Sequence, residues 1–308
     1  MSERLNEAND FDVLGDILET LRFRGSIFFR SELAAPWGMS LDEETFPRFH
    51  IAISGDCFVG ASDDNGVRVR QNEVIMLPGG NPHWIADKPG RKLVPSERAG
   101  KACELGNPLF QHGEITNRLI CGLVRFEQAS SHPILDSLPD ILHFQGLTPK
   151  APIWQTVNLI DAEMQRTKGR GNSIIDRLTE VLFIQLLNHH INESKAPVGF
   201  LAALGDRRIH RALTLIHAQP EFDWSLSSLG ERIGMSRATL VRHFQDAVGV
   251  APMKYIMNWR ILKAYSLIKY TSTPMEQIAD SVGFASARTL GRAFQRHYDC
   301  TPSELRRG

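Results

Sequence analysis

The feature that most constrains this chain is an internal repeat. Shifted by 50 residues, segment 236–252 falls on 286–302 with identity at Ser236/Ser286, Thr239/Thr289, Leu240/Leu290, Arg242/Arg292, Phe244/Phe294, Gln245/Gln295 and Pro252/Pro302. Such a duplicated segment means one supersecondary unit used twice. Upstream, and across a one-residue gap, Leu229, Ile233 and Gly234 correspond to Ile278, Val282 and Gly283. Each copy therefore reads as an apolar helix, a glycine turn, a serine able to cap the next helix, and a second helix. That is the plan of a helix-turn-helix unit.

Helical geometry at about 100° per residue assigns the faces of each second helix. In the first copy Leu240, Phe244 and Ala247 fall on one side, with Ala238, Val241, Arg242 and Gln245 on the other. In the second, Leu290 and Phe294 are expected inside, with Arg288, Gly291, Arg292 and Gln295 outside. An arginine fork can donate to guanine O6 and N7, a glutamine can pair with adenine, and small apolar groups can touch thymine methyls. The duplicated face is therefore a candidate major-groove reader. Arg237 and Thr239 near the first helix start, with Arg296 and His297 in the second copy, are candidates for phosphate as much as base contacts, and Thr289 is a further DNA-binding candidate.

Charge supports this placement. The chain of 308 residues is neutral, with 35 Lys+Arg against 35 Asp+Glu. Residues 1–200 nevertheless hold 20 basic and 26 acidic side chains, and residues 201–308 hold 15 and 9. Two oppositely charged parts imply two domains with different partners. No apolar run reaches the roughly 18–20 residues that span a bilayer, and the first residues are charged, so a cytoplasmic protein without a membrane partner is expected. Cys57, Cys103, Cys121 and Cys300 are too few and too scattered for a disulfide framework, and none forms a CxxC pair.

The first half reads as strands. Phe49–Ile53, Cys57–Val59, Val67–Val69, Val74–Leu77 and Leu119–Phe126 are short apolar or alternating stretches divided by turn signals, among them Asp63-Asp64-Asn65-Gly66 and Pro78-Gly79-Gly80-Asn81-Pro82. Their spacing points to an antiparallel sandwich or barrel. Residues 87–117 read as a long loop and, with the first ten residues, as the place where disorder would concentrate. Two helical patterns follow, 151–168 and 173–191, divided by Gly169-Arg170-Gly171-Asn172. Their apolar stripes suit packing on the sheet or on a second subunit, and His189 and His190 read as solvated residues near a helix end. Glu193–Gly199 reads as a linker.

Residues 205–308 resemble the DNA-binding domain of the AraC family throughout. The residues that carry this are Trp224-Ser225-Leu226, Gly234-Met235-Ser236-Arg237, Gly249-Val250-Ala251-Pro252, Trp259-Arg260, Val282-Gly283-Phe284 and Thr301-Pro302-Ser303-Glu304. The resemblance implies that a long helix from Pro252 sets two recognition helices into successive major grooves, about 34 Å apart. Pro78–His83 follows the P-x-G-x-x-H order of the second cupin motif. With Pro36-Trp37-Gly38, Phe49-His50, Gly55-Asp56-Cys57, Cys121-Gly122 and His132-Pro133, residues 10–145 resemble the cupin-type sensor domain of some AraC-family regulators. The first cupin motif, with its H-x-H and downstream Glu, is absent, and Asn72 stands where the second begins with glycine. The resemblance makes those absent residues metal ligands in catalytic cupins, which leaves His50 and His83 one short of three.

The expected fold is α+β: a cupin-like antiparallel β-barrel over 1–148, a helical hairpin and linker over 149–200, and an all-α double helix-turn-helix domain over 201–308. The expected function is sequence-specific DNA binding by a non-enzymatic transcription factor, with activation implied by the resemblance and control by a small molecule or redox signal. His50, Cys57, His83, Trp84 and Cys121 are the candidate effector residues. His50 and His83 also suit plain burial, or a metal with a cysteine or water, though no resident cofactor is expected. Cys121 suits a core position or a redox thiol paired with Cys57. Promoter DNA, an effector, RNA polymerase for an activator, and a second copy of the chain are the partners. The rivals are a cupin-fold oxygenase or isomerase with a DNA-binding appendage, and a non-specific nucleoid binder. No nucleophile–base constellation, phosphate loop or H-E-x-x-H motif supports the enzyme.

Overall fold

A computed structural model describes residues 11–61, 65–105, 108–126, 133–167, 172–193 and 199–307. Asp63, Asp64, His132, the Gly169–Gly171 divider, the first ten residues and most of the 193–199 linker lie outside the described residues. The chain divides into two compact units. One is Phe23–Ala129 with Leu138–Ser194, and the other is Met1–Arg22 with Ser130–Ser137 and Lys195–Gly308. The first helix, α1 (Val13–Leu21), thus goes with the C-terminal residues, although the sequence reading put 1–148 in one domain. Its packing gives the reason. Val13, Ile17, Leu18 and Leu21 are buried, and Asp16 accepts a hydrogen bond from His217 Nδ1 at 2.8 Å and lies 3.0 Å from Lys263 Nζ.

The first unit is built on strands β1 (Phe23–Leu33), β2 (Gly38–Leu41), β3 (Arg48–Ser54), β4 (Cys57–Gly60), β5 (Val67–Val69), β6 (Val74–Leu77), β7 (His83–Ala86), β8 (Val94–Pro95), β9 (Asn117–Phe126) and β10 (Leu142–Phe144). They form two five-stranded sheets, in the orders β1-β9-β3-β6-β10 and β5-β4-β7-β2-β8. Pairing is antiparallel except between β2 and β8. The two sheets lie face to face, and among the described residues no strand pairs from one to the other to close the expected barrel. Alternation supplies their shared core: Leu33, Ile75, Leu119 and Cys121 from one sheet meet Met39, Cys57, Val59 and Ile85 from the other.

The expected loop at 87–117 contains β8 and a nine-residue helix, α2 (Ser96–Glu104). Its charged residues hide the pattern, because among its described side chains the buried anchor is Ala99. The hairpin is α4 (Pro152–Arg166) and α5 (Ser173–Glu193), after the short α3 (Pro133–Asp136) of the other unit. Asn172 Oδ1 caps α5 by accepting from the amides of Ile174 and Ile175 at 3.0 and 2.9 Å. Helix α5 lies on β1, where Gly25 leaves room for Thr179, and Phe183 packs between Phe23 and Phe126. The sheet therefore takes the α5 stripe, while Leu159, Ile174 and Val181 stay exposed.

The second unit continues with α6 (Phe200–Gly205), α7 (Arg207–Ala218), α8 (Leu226–Ile233), α9 (Arg237–Val248), α10 (Pro252–Tyr270), α11 (Met275–Ser281), α12 (Ala287–Tyr298) and α13 (Pro302–Arg307). Trp259 and Tyr255 on α10 are fully buried, with the His217 ring 4.0 Å from that of Trp259. Arg260 ties two loops together by donating to the carbonyls of Pro220 and Phe222 in one and Gly283 in the other. Gly283, at φ 79°, is required there: a Cβ would lie 2.8 Å from that guanidinium.

Candidate functional site

The two helix pairs, α8–α9 and α11–α12, are closed by the same devices. Gly234 takes φ 70° and the amide of Met235 returns to the Gly230 carbonyl, as Phe284 returns to Ala279. Ser236 then caps α9 by accepting from the Thr239 amide at 3.3 Å, and Ser286 caps α12 through Thr289 at 3.2 Å. Thr289 Oγ1 accepts from the Ser286 amide in return, and Thr239 Oγ1 lies 2.9 Å from Ser236 Oγ. Both threonines, expected to meet DNA, are thereby engaged in holding the helix starts. Glu276 adds a cap by accepting from the Ala287 amide at 2.9 Å.

With the starts fixed, the faces follow. Leu240, Phe244 and Val248 of α9, and Leu290 and Phe294 of α12, are buried; Ala247, expected inside, is half-buried because Val248 takes that place. Arg237, Ala238, Arg242 and Gln245 are exposed and Val241 half-buried on α9, while Arg288, Thr289, Arg292, Gln295, Arg296 and His297 are exposed on α12. Arg237, Ala238, Val241, Arg242 and Gln245 line one open groove together with Leu226 and Asp246. Asp246 was not among the expected residues, since an acidic side chain does not signal a DNA face. None of Arg237, Arg242, Arg288 and Arg292 has an ion pair or side-chain hydrogen bond among the described residues. Their donors are available to an outside acceptor.

In the sheet unit, three of the five candidate effector residues come together. His50 on β3 stands opposite Cys121 on β9 in the ladder, and His83 reaches it from β7 of the other sheet. His50 Nδ1 lies 3.0 Å from Cys121 Sγ, His50 Nε2 lies 2.8 Å from His83 Nε2, and His83 Nδ1 lies 2.8 Å from the Asn81 carbonyl. The carbonyl can only accept, so His83 Nδ1 donates to it and His83 Nε2 accepts from His50 Nε2. That leaves His50 Nδ1 to accept from the Cys121 thiol.

Protonation states agree with this chain. Burial first, then the charges of His83 and Arg48, holds His50 well below the usual histidine range, and burial lowers His83 to about 4. Both imidazoles are neutral at pH 7. Burial also pushes the Cys57 thiol up to about 12 and the Cys121 thiol higher still. A redox sensor needs an accessible thiolate of depressed pKa, so the expected Cys57–Cys121 pair does not fit that role. A metal held by both histidines and Cys121 does not fit either, because Cys121 and His83 occupy opposite edges of the His50 ring and cannot converge on one ion. No group of three or more His, Cys, Asp or Glu suited to a metal occurs among the described residues. Cys57 is a core residue, and Trp84 donates to the Ala61 carbonyl while its ring presses on Gly60 and Gly66; neither joins the chain.

The cupin family matches residues 12–192, and a helix-turn-helix family matches residues 229–308. An HTH-type transcriptional regulator of Haemophilus influenzae is 29% identical over 303 residues, covering 96% of this chain and 98% of its own. The HTH-type transcriptional regulator AlkR of Acinetobacter baylyi is 26% identical over 308 residues, covering 96% and 99%. An AraC-like transcription regulator of Streptomyces antibioticus is 26% identical over 300 residues, covering 96% and 98%. This chain is an AraC-family transcriptional regulator with an N-terminal cupin domain. Membership accounts for the two helix pairs and the strand unit in one chain, and the relatives it resembles along nearly all their length are named as regulators. No described helix of this AraC-family chain is long and apolar enough to cross a membrane.

Proposed function

We propose that this regulator reads a specific promoter sequence with α9 and α12, Arg242, Gln245, Arg292 and Gln295 making the base contacts. The supporting observation is the duplicated face of unpaired arginines beside glutamines, on two helices held by identical serine caps. Arg237, Arg288 and Arg296 then serve the phosphates. The cupin unit carries a signal to this domain by favouring one arrangement of the readers. Activation through RNA polymerase is the proposed output, and a second copy of the chain the proposed partner. Selection of bound sequences from random duplex DNA tests the reading. The expected result is a preferred site with half-sites about one helical turn apart, whose number gives the number of subunits. Equal recovery of every duplex would make the protein a non-specific binder instead.

A further inference from the structure

A cavity of about 230 Å³ opens between the sheets of the cupin unit, at the edge covered by α2. Phe29, Met39, Leu41, Ile85 and Leu123 supply its apolar wall, and His50 and Cys121 its inner end. That inner end offers a ligand almost no hydrogen bond. The chain from Cys121 through His50 and His83 to the Asn81 carbonyl already commits both nitrogens of each ring and the thiol proton. An apolar cavity of about 150 Å³ admits benzene. This one therefore takes a ring with a short substituent.

The exception on the wall is Arg48, which is 8% exposed. Its Nη1 donates to the Asp42 carbonyl at 2.6 Å and its Nη2 lies 3.4 Å from Glu44, but Nε is buried without a hydrogen-bond partner among the described residues. A buried donor left unmade is costly. Arg48 lines the cavity, so the oxygen of a bound molecule would bring an acceptor to this under-used guanidinium. Glu44 and Glu97 border the same space, so a carboxylate ligand would face two like charges, and a charged ligand of either sign would give up its hydration in a mostly apolar cavity.

We propose that this cavity is a ligand site for a neutral, mostly apolar molecule of about one ring whose single accepting oxygen meets Arg48. As the site of a signal, it rests on the sensing role proposed above; as a ligand site, it stands by itself. Gly100 of α2 gives a clean way to close it. It lines the cavity, and a Cβ added there meets no atom within 4 Å. Gly100→Leu would fill the space while favouring the helix.

The test is calorimetric titration of the full chain with acetophenone, ethylbenzene, benzoate and benzylamine. Acetophenone is expected to bind roughly tenfold more tightly than ethylbenzene, the value of one hydrogen bond to a charged donor. Arg48→Met should abolish that difference, and Gly100→Leu should abolish binding of both. Should Arg48→Met fail to fold, Gly100→Leu still decides the location. No binding of either neutral compound, undiminished binding by Gly100→Leu, or tighter binding of benzoate or benzylamine would overturn the proposal. DNA affinity measured with and without acetophenone separates the two readings: binding that leaves DNA affinity unchanged keeps the site and removes its signalling role.

Discussion

At matched positions α9 carries Arg237, Ala238, Val241 and Asp246 where α12 carries Ala287, Arg288, Gly291 and Arg296, while Arg242/Arg292 and Gln245/Gln295 are the same. The shared pair sits at the centre of each outer face and the differences sit around it. The centre is thus suited to the same base pattern in both half-sites. The surroundings divide the labour: around the shared pair α12 adds exposed Arg288 and Arg296, and α9 adds Arg237, Ala238, half-buried Val241 and the acid Asp246. We expect α12 to supply more of the salt-dependent attraction and α9 more of the shape-dependent contact.

The comparison first requires that the two cores be equivalent. Phe244→Ala and Phe294→Ala each empty a fully buried site and should each cost about 3–5 kcal/mol, read by chemical denaturation. Tolerance of one substitution alone would break the equivalence. Next, Arg242→Ala and Arg292→Ala should each cost roughly 1–3 kcal/mol on the preferred site and relax base preference in one half-site. Competition against sites altered in either half shows this, and a loss uniform over all sequences would reassign the residue to phosphate. Ser236→Ala and Ser286→Ala should each lower stability by about 1 kcal/mol, measured by thermal melting. The smallest effects concern the unlike positions. Arg296→Ala should reduce the slope of log affinity against log salt by about 1, whereas Asp246→Asn should tighten binding to any duplex by under about tenfold. Equal slopes for wild type and Arg296→Ala would remove the division of labour.

The repeat made the C-terminal domain legible because a helix-turn-helix unit declares itself locally, through a capping serine, a glycine turn and apolar positions within one span of sequence. The sheet unit was only partly legible. Strands with clean alternation, such as Val67–Val69, were readable, but β1 mixes Arg24, Ser26, Arg30 and Glu32 with its apolar residues and gives no clear period. Helix α1 shows its own amphipathic pattern, yet nothing local reveals that Asp16 meets His217 some 201 residues later. The candidate effector residues fared likewise. His50, His83 and Cys121 converge because of strand register, whereas Trp84, the neighbour of His83, points to the other face of its strand and misses the cavity. Arg48, the donor at the cavity wall, carried no motif at all.

Helix α10 has a consequence beyond holding its neighbours in place. Its 19 residues cover about 27 Å, and a helix turns as it advances. One residue inserted there would move α12 along by only about 1.5 Å but swing it by about 100° about the α10 axis. The reader would then miss its groove through rotation, not through distance. DNA is itself a screw, so on the proposed reading an operator and α10 must match in phase as well as in length. If both readers engage DNA as proposed, the connector can change in evolution only by near-whole turns, and spacing between half-sites is inherited as an angle.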